Sequence, residues 1–278
     1  MKIVKACSDL GVHVNGSNLA PNALLKNKGI SSIEVDKEDI EKELDKENKL
    51  KNLKYVNSFN EKLYNEILKI DEKVLTIGGD HSIAIASCLA SKKKNKNIGI
   101  VWIDSHADFH TTETTISGNI HGMPFATVCG INKDTLSYFF DGEYFKGENA
   151  ILVGGRDIED AEFDNLSYAN VKLYTTNDIK KKGAKEIIKK ALDEALEKTD
   201  GLHVSFDIDV IDPLIAPGVS VKAKDGLTFE EAKDIADILI EYKDKIKSVD
   251  LVEFNPSEDK DNVTLKITEE ILNKLLEI

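Results

Sequence analysis

Short apolar runs rich in Val and Ile recur along the chain, separated by longer stretches whose apolar residues fall three and four positions apart. The first pattern belongs to strands covered on both faces and the second to helices with one buried side. Residues 2 to 6, Ile33 to Val35, Val74 to Ile77, Ile98 to Ile103, Ala150 to Val153, Lys172 to Tyr174, Leu202 to Phe206 and Val249 to Val252 read as strands. A short helix is expected to end near Gly29. Between Lys37 and Ile70, the spacing of Ile40, Leu44, Leu53, Phe59, Leu63, Ile67 and Leu68 predicts solvated helices over a sheet face. Further helices are expected over Ile83 to Leu89 and, as one long amphipathic helix, after Tyr174 to about Lys198. Thr228 to Glu231 has the form of a capping box opening a helix to about Asp244, and Leu265 to Ile278 closes the chain. Strand and helix alternate with no Pro/Ser-rich linker or repeat, which predicts one α/β domain over residues 1–278 on a mostly parallel sheet.

Composition narrows the partners. The chain has a net charge of -13 with 41% hydrophobic and 31% charged residues, which suits a soluble protein with a small cationic partner and no nucleic acid. Cys7, Cys88 and Cys129 are odd in number and widely spaced, so reduced buried thiols and a cytoplasmic setting are expected. No apolar run reaches the length of a membrane span or of a signal peptide core, so no membrane partner is expected.

The chemistry begins where the strands end. After Ile103 come Asp104, His106 and Asp108, and in extended backbone alternate side chains leave one face. Asp207 and Asp209 repeat the pattern after Phe206, and His81 follows the turn Gly78-Gly79. Arg156 and Asp157 follow Val153, while Glu253 and Asn255 follow Val252. Five strand ends thus carry ionisable residues, and strand ends of a parallel sheet share an edge. His81, Asp104, His106, Asp108, Asp207 and Asp209 supply two imidazoles and four carboxylates, more negative charge than one divalent ion balances. Two ions sharing bridging carboxylates would balance it, and the oxygen-rich set favours Mn²⁺. A water between two such ions becomes a nucleophile near neutral pH. Arg156 is the only arginine of the chain. Its planar fork would suit a bidentate carboxylate contact, chance retention being the other reading.

Gly-Gly-Asp-His-Ser at 78 to 82, Asp-Ser-His-Ala-Asp at 104 to 108, Ser-Gly-Asn-Ile-His-Gly-Met-Pro at 117 to 124, Ser-Phe-Asp-Ile-Asp-Val-Ile-Asp-Pro at 205 to 213 and Glu-Phe-Asn-Pro at 253 to 256 together resemble the ureohydrolase family of arginases, agmatinases and formiminoglutamases. The resemblance implies a three-layer α/β/α fold, two Mn²⁺ per chain, a homo-oligomer and hydrolysis of a guanidino or formimino carbon–nitrogen bond. It assigns the six residues above as ligands, with Asp104 and Asp209 bridging. Glu253 matches the acceptor of the substrate guanidinium, His121 the proton-transferring histidine, and Asp108 joins them as a catalytic candidate. Within the family the 117 to 124 segment is similar to arginases, which places Thr115, Ser117 and Asn119 on the α-carboxylate side. Asp157, Glu159 and Glu162 match the acids that hold the α-amino group. Two positions depart from that pattern. His110 stands where arginases usually carry asparagine, and Glu159 where they carry aspartate. Arginine is therefore the first substrate expected, with agmatine or a formimino compound as alternatives. A catalytically silent metabolite-binding relative is the non-enzyme reading, disfavoured by the intact ligand set.

Overall fold

The computed structural model describes residues 1–26, 28–37 and 49–278, so the expected helical positions Ile40 and Leu44 lie outside it. Its strands are β1 (Lys2–Cys7), β2 (Ser32–Asp36), β3 (Val74–Gly78), β4 (Ile98–Ile103), β5 (Ala150–Gly155), β6 (Lys172–Thr175), β7 (Gly201–Asp207) and β8 (Ile246–Val252). Its helices are α1 (Ala20–Leu25), α2 (Leu53–Leu68), α3 (Ala84–Lys94), α4 (Pro124–Val128), α5 (Lys133–Leu136), α6 (Asp160–Ala169), α7 (Thr176–Lys182), α8 (Ala184–Leu196), α9 (Phe229–Glu241) and α10 (Val263–Leu275).

The eight strands pair in parallel in the order β2-β1-β3-β8-β7-β4-β5-β6. Side chains alternate between two cores, as a pleated strand requires. Val101 and Ile103 of β4 pack with α1 and with α7 to α10, whereas Ile100 and Trp102 pack with α2 to α6. This is the three-layer α/β/α arrangement, and burial on both faces explains why β4 reads as an unbroken apolar run.

Two helical expectations change. The helix expected after Tyr174 to about Lys198 is broken into α7 and α8 at Gly183, whose φ of +93° lies outside the helical region. Helix α6 was not expected, because it opens on a glutamate in place of the usual Ser, Thr, Asp or Asn; the Glu162 carboxylate accepts from Glu159 N at 3.1 Å. The box at α9 is present as read. Thr228 Oγ1 accepts from Glu231 N at 3.2 Å, and the Glu231 carboxylate accepts from Thr228 N at 2.8 Å. Thr228→Ala is expected to lower the unfolding free energy by about 1 kcal/mol, read as a lower urea midpoint at an unchanged slope.

At the amino edge of the sheet the helices end and leave carbonyls unpaired. Lysines meet them: Lys73 donates to the main-chain oxygens of Lys243 and Ile278, and Lys92 to that of Lys96, each at 2.7 Å. Cys7 and Cys88 are buried, Cys129 is half-buried, and all are free thiols. Burial raises the Cys7 thiol to about 12. No helix among the described residues is long and apolar enough to cross a membrane.

Candidate active site

The connection from β3 to β4 steps over two places in the sheet that β8 and β7 later fill. As a result the five strands with ionisable ends, β3, β8, β7, β4 and β5, are contiguous, and their carboxyl ends face one crevice.

At the end of β3 the turn is dictated by space. A Cβ on Gly79 would lie 1.7 Å from Ser8 O, so only glycine lets β1 and the turn close together. Asp80 caps the turn, accepting from Ser82 N at 2.9 Å and Gly11 N at 3.1 Å. His81 then enters the site with its ring stacked on Trp102 at 4.1 Å and its Nε2 2.8 Å from Ser205 Oγ. Its Nδ1 lies 3.1 Å from Asp104 Oδ2 and 3.0 Å from both Asp108 Oδ2 and Asp207 Oδ2. One N–H cannot serve three acceptors, and His81 Nδ1 and Asp108 Oδ2 are buried without a hydrogen-bond partner. A cation placed among these atoms would satisfy all of them.

The neighbouring group is built from His106, whose Nδ1 lies 2.9 Å from Asp209 Oδ2 and 3.6 Å from Asp104 Oδ1. His81, Asp104 and Asp207 form one potential cation site, and Asp104, His106 and Asp209 the other. Asp104 belongs to both. Asp209 is grouped with the second. The alternation argument is corrected: β4 stops at Ile103, the chain bends at Ser105 and His106, and Asp108 adopts a left-handed φ of +51°. That bend sends Asp104 and Asp108 toward His81 but turns His106 toward Asp209. Asp207 ends β7 and accepts from Asp209 N at 2.7 Å, so a tight turn, not extended backbone, sets that pair.

The charges show what the pocket lacks. Burial, then the Asp104 charge, raises Asp108 to about 7, and burial with the Asp209 and Asp104 charges lifts Asp207 well above the carboxylate range. Burial disfavours charge on His81 and His106 as well, yet the surrounding carboxylates outweigh it and raise both. The crevice therefore retains protons unless other positive charge enters, and its buried imidazole and carboxylate donors fit divalent cations.

Above these groups lies a cavity of about 190 Å³, with His81, His106, Asp108, Asp207, Asp209 and Glu253 at the strand ends and His110, Ser117, His121, Asp157, Glu159, Glu162 and Val221 around it. Glu253, at φ +65°, accepts from His81 N at 2.8 Å and sits 3.1 Å from His121 Nδ1, both through Oε1. Despite burial, the pair holds His121 above and Glu253 below their usual ranges. His110 Nε2 lies 3.6 Å from Glu159 and 3.7 Å from Glu162. Thr115 and Asn119 do not line the cavity. Thr115 Oγ1 accepts from Gly118 N at 3.0 Å, and Asn119 is held by Lys51 Nζ at 2.9 Å and His13 Nδ1 at 3.0 Å, so the two shape the loop that presents Ser117.

Several supporting groups escaped the sequence reading. Trp102 Nε1 donates to Asp104 Oδ2 at 3.0 Å, and Ser105 Oγ donates to Asp209 Oδ1 at 2.7 Å. The legible signals were the only Trp of the chain beside Asp104 and a lone hydroxyl, Ser205, inside an apolar strand. Among the described residues Arg156 makes no bidentate carboxylate contact; its guanidinium donates to the main-chain oxygens of Asp209, Val210, Ala223 and Lys224.

A parallel α/β sheet whose carboxyl edge gathers His and Asp into two adjoining groups is the architecture of the metal-dependent ureohydrolases. Comparison with known proteins agrees at every level. A family model described as Arginase family matches residues 1–277. The chain is similar to the arginase of Bacillus subtilis, with 34% identity over 96% of this chain and 94% of that protein. Its fold is similar to the crystal structure of the same species' arginase, with a TM-score of 0.85 at 33% identity over 99% of this chain and 97% of that one. It is also similar to the Entamoeba histolytica arginase in complex with L-ornithine, with a TM-score of 0.91 at 29% identity over 100% of this chain and 98% of that one. The chain belongs to the arginase family, and it is an arginase-like ureohydrolase.

Proposed function

We propose that this protein hydrolyses L-arginine to L-ornithine and urea with two Mn²⁺ bound per chain. The observation that carries the reading is the sharing of Asp104 between two adjoining donor groups, one of which aims a single imidazole nitrogen at three carboxylates. Four carboxylates, two imidazoles and no thiolate favour Mn²⁺ over structural zinc. When bound, the ions supply Lewis acidity and a water that loses its proton near neutral pH.

The chain's own residues do the rest. The Glu253 carboxylate accepts the in-plane N–H donors of the guanidinium and holds its carbon over the two groups. Water adds to that carbon, the bond to the side-chain nitrogen breaks, and urea and ornithine separate once that nitrogen gains a proton. His121, whose protonated form the neighbouring Glu253 favours, is placed to give it. Asp157, Glu159 and Glu162 form an acidic wall for the α-ammonium, while Ser117 and His110 in the same cavity supply donors for the α-carboxylate. That the Entamoeba histolytica arginase is solved in complex with L-ornithine supports an amino-acid ligand for a protein of this fold. Free, buried thiols suit a cytoplasmic setting.

A site built to hydrogen-bond a substrate group rejects the analogue that lacks it, because its donors are left unpaired. L-Arginine is therefore expected to exceed agmatine in kcat/KM by at least about tenfold, with His110→Asn preserving the order. Urea release from both substrates by the Mn²⁺-loaded protein measures this. A clear preference for agmatine would overturn the arginine reading, and no urea from any guanidino compound would favour the silent relative.

A further inference from the structure

We infer that Arg156 is the positioning residue of the second cation group, acting through the main chain that carries Asp209; this rests on the two-ion reading above. The loop leaving β7 bears Asp209 and returns to pair with itself at Gly226 and Leu227, where Gly226 N donates to Asp212 Oδ2 at 2.8 Å, Leu227 N to Val210 O at 3.0 Å and Asp212 N to Leu227 O at 2.9 Å. Between those points it is held at its far end, where Val219 bridges Phe254 and Asn255 N donates to Gly218 O at 2.8 Å, while the arms beside Asp209 are left to side-chain contacts.

Arg156 reaches across from the end of β5 and grips both arms of the loop. Its Nη2 donates to Asp209 O and Ala223 O, and its Nη1 to Val210 O, each at 2.9 Å, while Nε donates to Lys224 O at 3.0 Å. One of these acceptors is the carbonyl of the candidate ligand itself. The base of Arg156 is tied to the other ligand-bearing loop, since Arg156 N donates to Ser105 O at 2.8 Å. Ser105 Oγ in turn donates to Asp209 Oδ1 at 2.7 Å. Ser105, Asp209 and Arg156 thus close a ring of hydrogen bonds around the second group.

Two glycines leave room for this ring. A Cβ on Gly154 would lie 2.6 Å from Val210 Cγ2 and 2.9 Å from Asp104 O, and one on Gly226 would lie 2.7 Å from Arg156 Nη2. Geometry also explains why the one arginine of a lysine-rich chain stands here. A planar fork presents five donors in fixed directions, whereas an ammonium presents three from one point and cannot span both arms. The first group is held by different partners, Ser205 behind His81 and Trp102 beside Asp104. Loss of Arg156 should therefore loosen one cation and spare the other.

The test is calorimetric titration of the metal-stripped, full-length protein with MnCl₂, alongside the melting temperature of the metal-free form. Wild-type protein is expected to bind two ions. Arg156→Lys, which keeps the charge, should leave one step unchanged and weaken the other by at least about tenfold, the range for partners that orient a ligand. Ser105→Ala removes the other arm of the ring and should weaken the same step, which keeps the inference open to refutation should Arg156 variants not fold. Two steps unchanged in both variants would overturn it. So would equal weakening of both steps with a lower metal-free melting temperature, the result of a merely structural role. A wild-type chain that binds only one ion would instead overturn the two-ion reading, and this inference with it.

Discussion

Asp104→Asn is expected to strip both cations from the protein and abolish urea formation. Asp104 is the one carboxylate common to both groups: Oδ2 lies 3.1 Å from His81 Nδ1, and Oδ1 accepts from His106 N at 2.8 Å and faces His106 Nδ1 at 3.6 Å. Asparagine preserves the shape but removes the negative charge and one of the two oxygens that a bridge requires. Without the cations, water is no longer acidified toward neutrality, so a fall in kcat of more than about 10³-fold is expected. Asp209→Asn is the comparison, because Asp209 is grouped with the second site and its loss should spare one ion. Metal analysis after gel filtration, with urea release on the same samples, reads both variants. Retention of two ions by the Asp104 variant would remove Asp104 from the bridging position.

His121→Asn should lower kcat by about 10²- to 10⁴-fold, the usual contribution of a general acid or base, while metal content stays unchanged. His121 faces Glu253 Oε1 at 3.1 Å and belongs to neither cation group. Burial alone would lower its pKa, but Glu253 overrides burial and raises it. The sign follows directly: the imidazolium persists above the ordinary imidazole range and is lost as pH rises through the raised value. Wild-type kcat should therefore fall on the alkaline side, and the variant should lose that limb. An unchanged rate and pH profile would make His121 a packing residue.

Much of the fold is legible residue by residue. Every expected strand lies within or overlaps an observed one, because burial on both faces demands apolar residues at each position of a short segment, a local requirement that a run such as Ile98 to Ile103 states outright. The Thr228 box marks the start of α9 for the same reason, its hydrogen bonds closing within three residues. Helix α6 was illegible because a glutamate opens it, and the break at Gly183 was hidden within an apolar periodicity that continues on both sides.

By itself, then, the sequence determined which segments are strands, that ionisable residues cluster at their ends, and through the joint motifs which chemistry those residues suit. All of these depend on neighbours in the chain. The tertiary structure alone decided that β7 and β8 insert between β3 and β4, which makes the five functional strand ends contiguous. It also decided the bend at Ser105 that divides Asp104, His106 and Asp108 between two groups, the withdrawal of Thr115 and Asn119 into loop contacts, and the grip of Arg156 on carbonyls 53 to 68 residues away. Each of these is a contact between segments distant in sequence, and a main-chain carbonyl is the same acceptor in every residue, so no residue type announces the partner it will meet.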